Sequence, residues 1–159
     1  MEEKSLIQPT DKPIGICSDH AGYPMKMYLI SLLDKKGIAY KDFGAYSMES
    51  SDYADFAHPM ASAVENGECY PGIAICASGN GINMSVNKHQ NIRAALCWTE
   101  ELAFFARAHN NANVLTLPGL YIPLEEAHKI LITFLNSSFE GGRHQRRIDK
   151  IPCGENSSK

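Results

Sequence analysis

What the chain lacks narrows it first. No stretch approaches the roughly 18 consecutive apolar residues that a membrane span needs, so no membrane partner is expected. Basic residues are not in excess: 15 Lys and Arg stand against 18 Asp and Glu, a formal net charge of −3. That balance argues against a nucleic-acid partner. There is no C-x-x-C pair, and the five cysteines (Cys17, Cys69, Cys76, Cys97, Cys153) are an odd number. Cys17, Cys76 and Cys97 close apolar runs, the pattern of reduced, buried thiols rather than of a disulfide framework. The six histidines are scattered, so no metal site is expected. The polar, acidic start MEEKSLIQPTDKP is unlike a signal peptide, and a cytoplasmic location is expected. No repeat, linker or low-complexity segment interrupts the 159 residues. This predicts a single domain over 1–159, with an ordered core of about 13–151 and a frayed tail at 153–159.

What is present alternates. Strands are expected at Ile14–Cys17, Ala39–Phe43, Ile73–Ala77, Ile92–Cys97 and Val114–Leu117. Between them apolar residues recur at helical spacing. Met25, Leu29, Leu32 and Leu33 mark one helix, stopped by Gly37. Phe56, Met60, Ala63 and Val64 mark a second, ended by Gly67, and Pro59 suggests that it starts late, near His58. Thr99 is placed to cap a third, with Glu100 and Glu101 in its first turn. Ala127, Ile130, Leu131, Phe134 and Leu135 mark a last one, to about Asn136. Strand and helix in turn, five times over, predict an α/β fold: a Rossmann-like three-layer sandwich around a five-stranded parallel sheet.

In such sheets ligands bind beyond the carboxyl ends of the strands. Two loops stand out there. SDHAGYP follows the first strand and carries Asp19 and His20; ASGNG follows the third, directly after Cys76. A Gly-rich turn opening a helix presents backbone N–H groups to an anion. Three familiar uses of such a turn fail on spacing. A dinucleotide fingerprint lacks its third glycine, since Met84 stands there; a cysteine-phosphatase loop lacks its arginine, since Ile82 stands there; and no Gly-Lys-Ser/Thr is present. What remains is a thiol beside an oxyanion nest, which suits proton abstraction next to a carbonyl. Each well-aimed donor contributes on the order of 3 kcal/mol to such a step. The helix N-terminus is expected to lower the Cys76 pKa and enrich the thiolate. A buried strand cysteine without chemistry is the plainer alternative.

Two further clusters follow. AHNNANV places His109 and Asn110 just before the fifth strand. EGGRHQRRIDKI places Arg143 and Arg147 four apart, on one face of a helical turn, able to grip a phosphate from two sides. His109 and the arginines begin at the amino edge of the sheet, whereas Asp19 and Cys76 end at the carboxyl edge. A site using both is expected to be shared between subunits.

Together SDHAG, DFG, SSDYADFA, ICASGNG, IRAALC, ARAHNNANVL and FEGGRHQRRIDKI resemble the sugar-phosphate isomerases of the ribose-5-phosphate isomerase B family, from about Pro13 to Ile151. The resemblance implies an aldose–ketose isomerase interconverting ribose 5-phosphate and ribulose 5-phosphate through a cis-enediolate, a homodimer or dimer of dimers without metal, nucleotide or other cofactor. It implies Cys76 as the base that moves a proton between carbons 2 and 1, and Ser78 with the amides of Gly79, Asn80 and Gly81 as the enediolate cradle. It implies Asp19 and His109 as the ring-opening pair. His20, Arg143 and Arg147 match phosphate contacts, while Tyr53 and Asn110 match residues lining the sugar. Ser78 stands where many members have threonine, and Ile82 where one branch has a glutamate base. Leu120 replaces a common arginine, which leaves a six-carbon sugar phosphate open as the preferred substrate. A non-catalytic sugar-phosphate or nucleotide-binding module is the alternative from another class.

Overall fold

The computed structural model describes residues 4–154, so 155–159 of the expected tail lie outside it; Cys153 donates its backbone N–H to Gln90 Oε1 at 2.8 Å. Five strands alternate with helices: β1 (Ile14–Ser18), α1 (Tyr23–Lys35), β2 (Tyr40–Asp42), α2 (Tyr53–Glu65), β3 (Gly72–Cys76), α3 (Asn80–Val86), β4 (Ala94–Leu96), α4 (Glu100–Ala108) and β5 (Val114–Pro118). Two helices close the chain, α5 (Leu124–Asn136) and α6 (Arg143–Ile148). All pairings are parallel, in the order β2-β1-β3-β5-β4.

Side-chain alternation sorts the core into two. Ile14, Ile16, Ile73, Ile75, Leu115 and Leu117 face α1, α4 and α5; Cys17, Ala74, Cys76 and Val114 face α2 and α3. This is the three-layer sandwich that the periodicity predicts. The three central strands are buried along their whole length, as a sheet covered on both faces requires. β2 and β4 are shorter than expected. As edge strands each has one neighbour, and pairing ends with the registers Ile14–Tyr40 to Ile16–Asp42 and Ala94–Val114 to Leu96–Thr116.

Thr99 caps α4 as expected, its hydroxyl accepting from Leu102 N–H at 3.2 Å. The expected late start of α2 is wrong: the helix begins at Tyr53 and carries Pro59 inside it. The missing N–H would have paired with the Asp55 carbonyl. Both residues lie on the exposed side, where water can serve that oxygen, while burial of Ala57, Met60, Ala61 and Val64 holds the turn together.

The chain runs from β1 outward to β2, then returns past β1 to β3. The carboxyl ends of β1 and β3 therefore flank the switch in strand order, where open α/β sheets form their crevice.

Candidate active site

Both loops expected to matter open at that switch. Asp19 follows β1; its backbone N–H donates to the Ile75 carbonyl at 3.2 Å and its Oδ1 accepts from Gly22 N–H at 3.0 Å. The side chain thus ties off the start of α1 with one oxygen and keeps a second. Gly22 is needed here because a Cβ would meet the Ile75 carbonyl.

Cys76 ends β3 with its sulfur turned to the following loop. The backbone N–H groups of Gly79, Gly81 and Ile82 face the thiol and favour its anion. Ser78 Oγ accepts from Asn80 N–H at 3.2 Å, bracing the turn. Gly79 takes the left-handed conformation, φ 81°, that swings the amides inward. The expectation of a lowered thiol pKa is overturned. Cys76 is 4% exposed, and burial outweighs the three amides, so its pKa lies above the ordinary thiol range. The other strand-end thiols lack such donors: burial alone pushes Cys97 up to about 12, and burial dominates at Cys17 as well. Cys76 is the one of the three with an anion-stabilising surround.

Tyr53, the first residue of α2, lays its ring over Gly81, where any Cβ would overlap it. His20 is held by a residue that the sequence did not single out. Its N–H donates to Ser51 Oγ and its ring Nδ1 accepts from Ser51 N–H, both at 3.1 Å. An amide can only donate, so Nδ1 carries no proton and the neutral ring carries it on Nε2. A second unforeseen feature lies beneath. Lys26 is fully buried and its ammonium donates to Asp42 Oδ1 at 2.6 Å and to the Ala45 carbonyl. Asp42 Oδ1 also accepts from Gly44 N–H at 2.9 Å, so this pair pins α1 to the loop after β2.

The remaining expected residues gather at the amino edge. His109 caps the C-terminus of α4, and Asn110 is exposed beside it, lining a separate hollow with Arg93, Ala95 and Ala112. Arg143 and Arg147 do share a face of α6, both exposed. Two of the six scattered histidines meet here after all. His109 and His144 stack with ring centroids 4.2 Å apart and planes 14° from parallel. Glu140 Oε2 lies 3.7 Å from His109 Nε2 and 3.5 Å from His144 Nε2. These three ligand atoms are close enough for a metal ion. Yet an ion must lie in the plane of each imidazole that binds it, and two stacked planes share no such point. Glu140 and His144 were not singled out from the sequence, although both sit in its EGGRHQRR segment.

One chain does not bring the two clusters together. β3 and β5 lie side by side, with Cys76 at the far end of one and His109 just before the other. About five residues at ~3.3 Å each, roughly 16 Å, lie between the two ends.

Residues 14–151 match the family model described as Ribose/Galactose Isomerase. Ribose-5-phosphate isomerase B of Escherichia coli is 38% identical over 144 residues, 91% of this chain and 97% of that protein. Among solved structures, a ribose 5-phosphate isomerase of Thermotoga maritima superposes with a TM-score of 0.88 at 44% identity, covering 90% of this chain and 99% of the other. Ribose-5-phosphate isomerase B of Mycoplasma genitalium, with bound ribulose 5-phosphate, gives a TM-score of 0.84 at 42% identity, covering 89% and 95%. No helix of the described residues is long and apolar enough to cross a membrane.

Proposed function

This chain belongs to the ribose/galactose isomerase family, and from that premise we propose that it interconverts ribose 5-phosphate and ribulose 5-phosphate through a cis-enediolate. One observation carries the chemistry: a thiol at the switch in strand order, faced by three backbone N–H groups and neighboured by Asp19. The Cys76 thiolate takes the proton from carbon 2 of the open aldose, the hydroxyl proton on the oxygen of carbon 2 passes to the oxygen of carbon 1, and the thiol returns its proton to carbon 1. The negative oxygen formed between these steps is met by Ser78 and the amides of the Gly79–Gly81 turn, which are in place beforehand. Ring opening precedes this. Asp19 takes the proton of the anomeric hydroxyl, the bond between carbon 1 and the ring oxygen breaks, and His109 gives that oxygen a proton.

The phosphate then falls to His20, through its Nε2–H, and to Arg143 and Arg147, with Tyr53 and Asn110 along the sugar. Since Asp19 and His109 sit at opposite edges of one sheet, a second copy supplies His109 and the arginines. The outer face of α4 supports this: Leu102 and Phe105 are exposed on the same side as His109, an apolar strip suited to a partner. The sheet with a core on each face supports reading the chain as one isomerase domain.

The test is turnover of ribose 5-phosphate and allose 6-phosphate by the purified protein and by Cys76→Ala. Ribose 5-phosphate is the better substrate, and the variant keeps saturable phosphate-ligand binding while losing at least about 100-fold in kcat. The sign of the pH dependence follows from burial. A raised thiol pKa leaves little thiolate at neutral pH, so pre-steady-state enediolate formation accelerates with pH past the ordinary thiol range of about 8–9. Wild-type turnover by Cys76→Ala would remove the base assignment and leave a binding module.

A further inference from the structure

The amino-edge cluster holds more than phosphate binding and a lone acid require. The backbone N–H of Glu140 donates to the Ala108 carbonyl at 3.0 Å, which fastens its segment beside His109. Gly141 and Gly142, both at positive φ, then turn the chain so that α6 begins at once and returns His144 beneath the His109 ring. Phe105 packs against the His109 ring as well, with centroids 4.7 Å apart. His144 is more than nine-tenths buried, and its Nε2 has no hydrogen-bond partner among the described residues. One carboxylate oxygen is thereby the shared neighbour of two imidazole nitrogens.

We propose that Glu140 is a positioning residue for His109, orienting its ring so that it can give a proton to the sugar's ring oxygen. The proposal rests on the ring-opening role given to His109 above. Two stacked imidazolium ions repel, so one positive charge is the load that a single carboxylate balances. The charged groups around the pair decide where it resides. Arg143 and Arg147 on α6 lie against His144, and burial together with the charges of His109 and Arg143 lowers the His144 pKa. Glu140 alone opposes them. His109 is the more exposed ring of the two, so it is the one that can pass a proton to the sugar's ring oxygen. That transfer fills the oxygen left when its bond to carbon 1 breaks, and nothing is oxidised or reduced.

The experiment separates ring opening from proton abstraction. 4-Deoxyribose 5-phosphate keeps the aldehyde and phosphate of the substrate but has no hydroxyl at carbon 4, so it cannot close a furanose ring. Glu140→Gln and Glu140→Asp are assayed on it and on ribose 5-phosphate. Glu140 is half exposed, so both variants should fold, and a thermal melt checks it. Glu140→Gln should lose about 10–100-fold in kcat on ribose 5-phosphate with KM within about twofold. It should keep turnover of the ring-free aldehyde within about twofold, and Glu140→Asp should recover part of the loss. An equal fall on both substrates, or no fall on either, overturns the proposal. A wild-type enzyme active on ribose 5-phosphate but inert on the ring-free aldehyde overturns the division of labour behind it. Inactivity of the wild type on both would sink the isomerase reading first.

Discussion

Gly79 and Gly81 stand two residues apart in one turn, yet a methyl group added to each meets different neighbours. At Gly79 the backbone is left-handed, and a Cβ would overlap Leu96 Cδ1 and stand 3.1 Å from the Leu117 carbonyl oxygen. The conformation costs alanine about 1–2 kcal/mol. Leu96 can shift, but the Leu117 carbonyl belongs to β5 and cannot, so overpacking adds about 1–3 kcal/mol. Gly79→Ala should therefore lose about 3 kcal/mol, a fall in Tm of roughly 6–12 °C for a chain of this length. At Gly81 no left-handed conformation is needed, and alanine in α3 is favoured by about 1 kcal/mol. The neighbour there is the Tyr53 ring, which is 41% exposed and free to swing out. Gly81→Ala should melt within a few degrees of wild type.

Activity should divide the other way for Gly81→Ala. Displacing Tyr53 removes a wall of the proposed sugar site while the thiol and its amides stay, so kcat/KM on ribose 5-phosphate should fall about tenfold, near 1.4 kcal/mol. If the effect runs through the ring, Tyr53→Ala loses as much, and the double variant loses no more than either single one. Thermal melts and steady-state kinetics on the four proteins complete the cycle. A Gly79→Ala protein with wild-type Tm would refute the steric argument. Additive losses in the double variant would refute the route through Tyr53.

Two further outcomes are expected. Lys26→Met keeps the volume of the buried side chain but leaves Asp42 without its cation; since Asp42 is one-quarter exposed and retains Gly44 N–H, the loss should fall near the lower end of the broken-pair range, about 3 kcal/mol by urea denaturation. Lys26→Met/Asp42→Asn should recover part of it, and an unchanged urea midpoint in the single variant would show that the pair contributes nothing. Leu102→Glu, a charge on the apolar strip of α4 at a residue that does not pack on the His109 ring, should give a folded monomer in sedimentation with turnover reduced by at least about tenfold, because the shared site comes apart. An active monomer would refute the shared site.

How far the sequence can be read depends on whether a property is local. Period and punctuation place the five strands and the helices α1, α2, α4 and α5, because buried strands such as Ile73–Cys76 and the one-face run Ala127–Leu135 write their environment into each residue. Pro59 misleads for the same reason: a local rule against proline in a helix is overridden by burial of the opposite face, which comes from α2 packing on the sheet. The nest after Cys76 is local too, and its geometry is legible in ASGNG. The thiol's pKa is not, since it depends on burial in the cluster that α2 and α3 form against the sheet, and that burial outweighs the amides.

The same distinction explains what was missed at the amino edge. Arg143 and Arg147 can be paired by counting along one helix. The stack of His109 on His144 joins residues from two segments that α5 separates, and only the anchoring of Glu140 to Ala108 brings them into register. Yet the sequence does place the two clusters at opposite ends of the sheet, because the direction of a parallel strand assigns each loop to an edge without coordinates. A thiol and nest at one edge, and an acid and two arginines at the other, cannot act on one five-carbon molecule across roughly 16 Å of sheet. A copy turned about a two-fold axis can bring its amino edge to the other's carboxyl edge, and the same rotation builds the site twice.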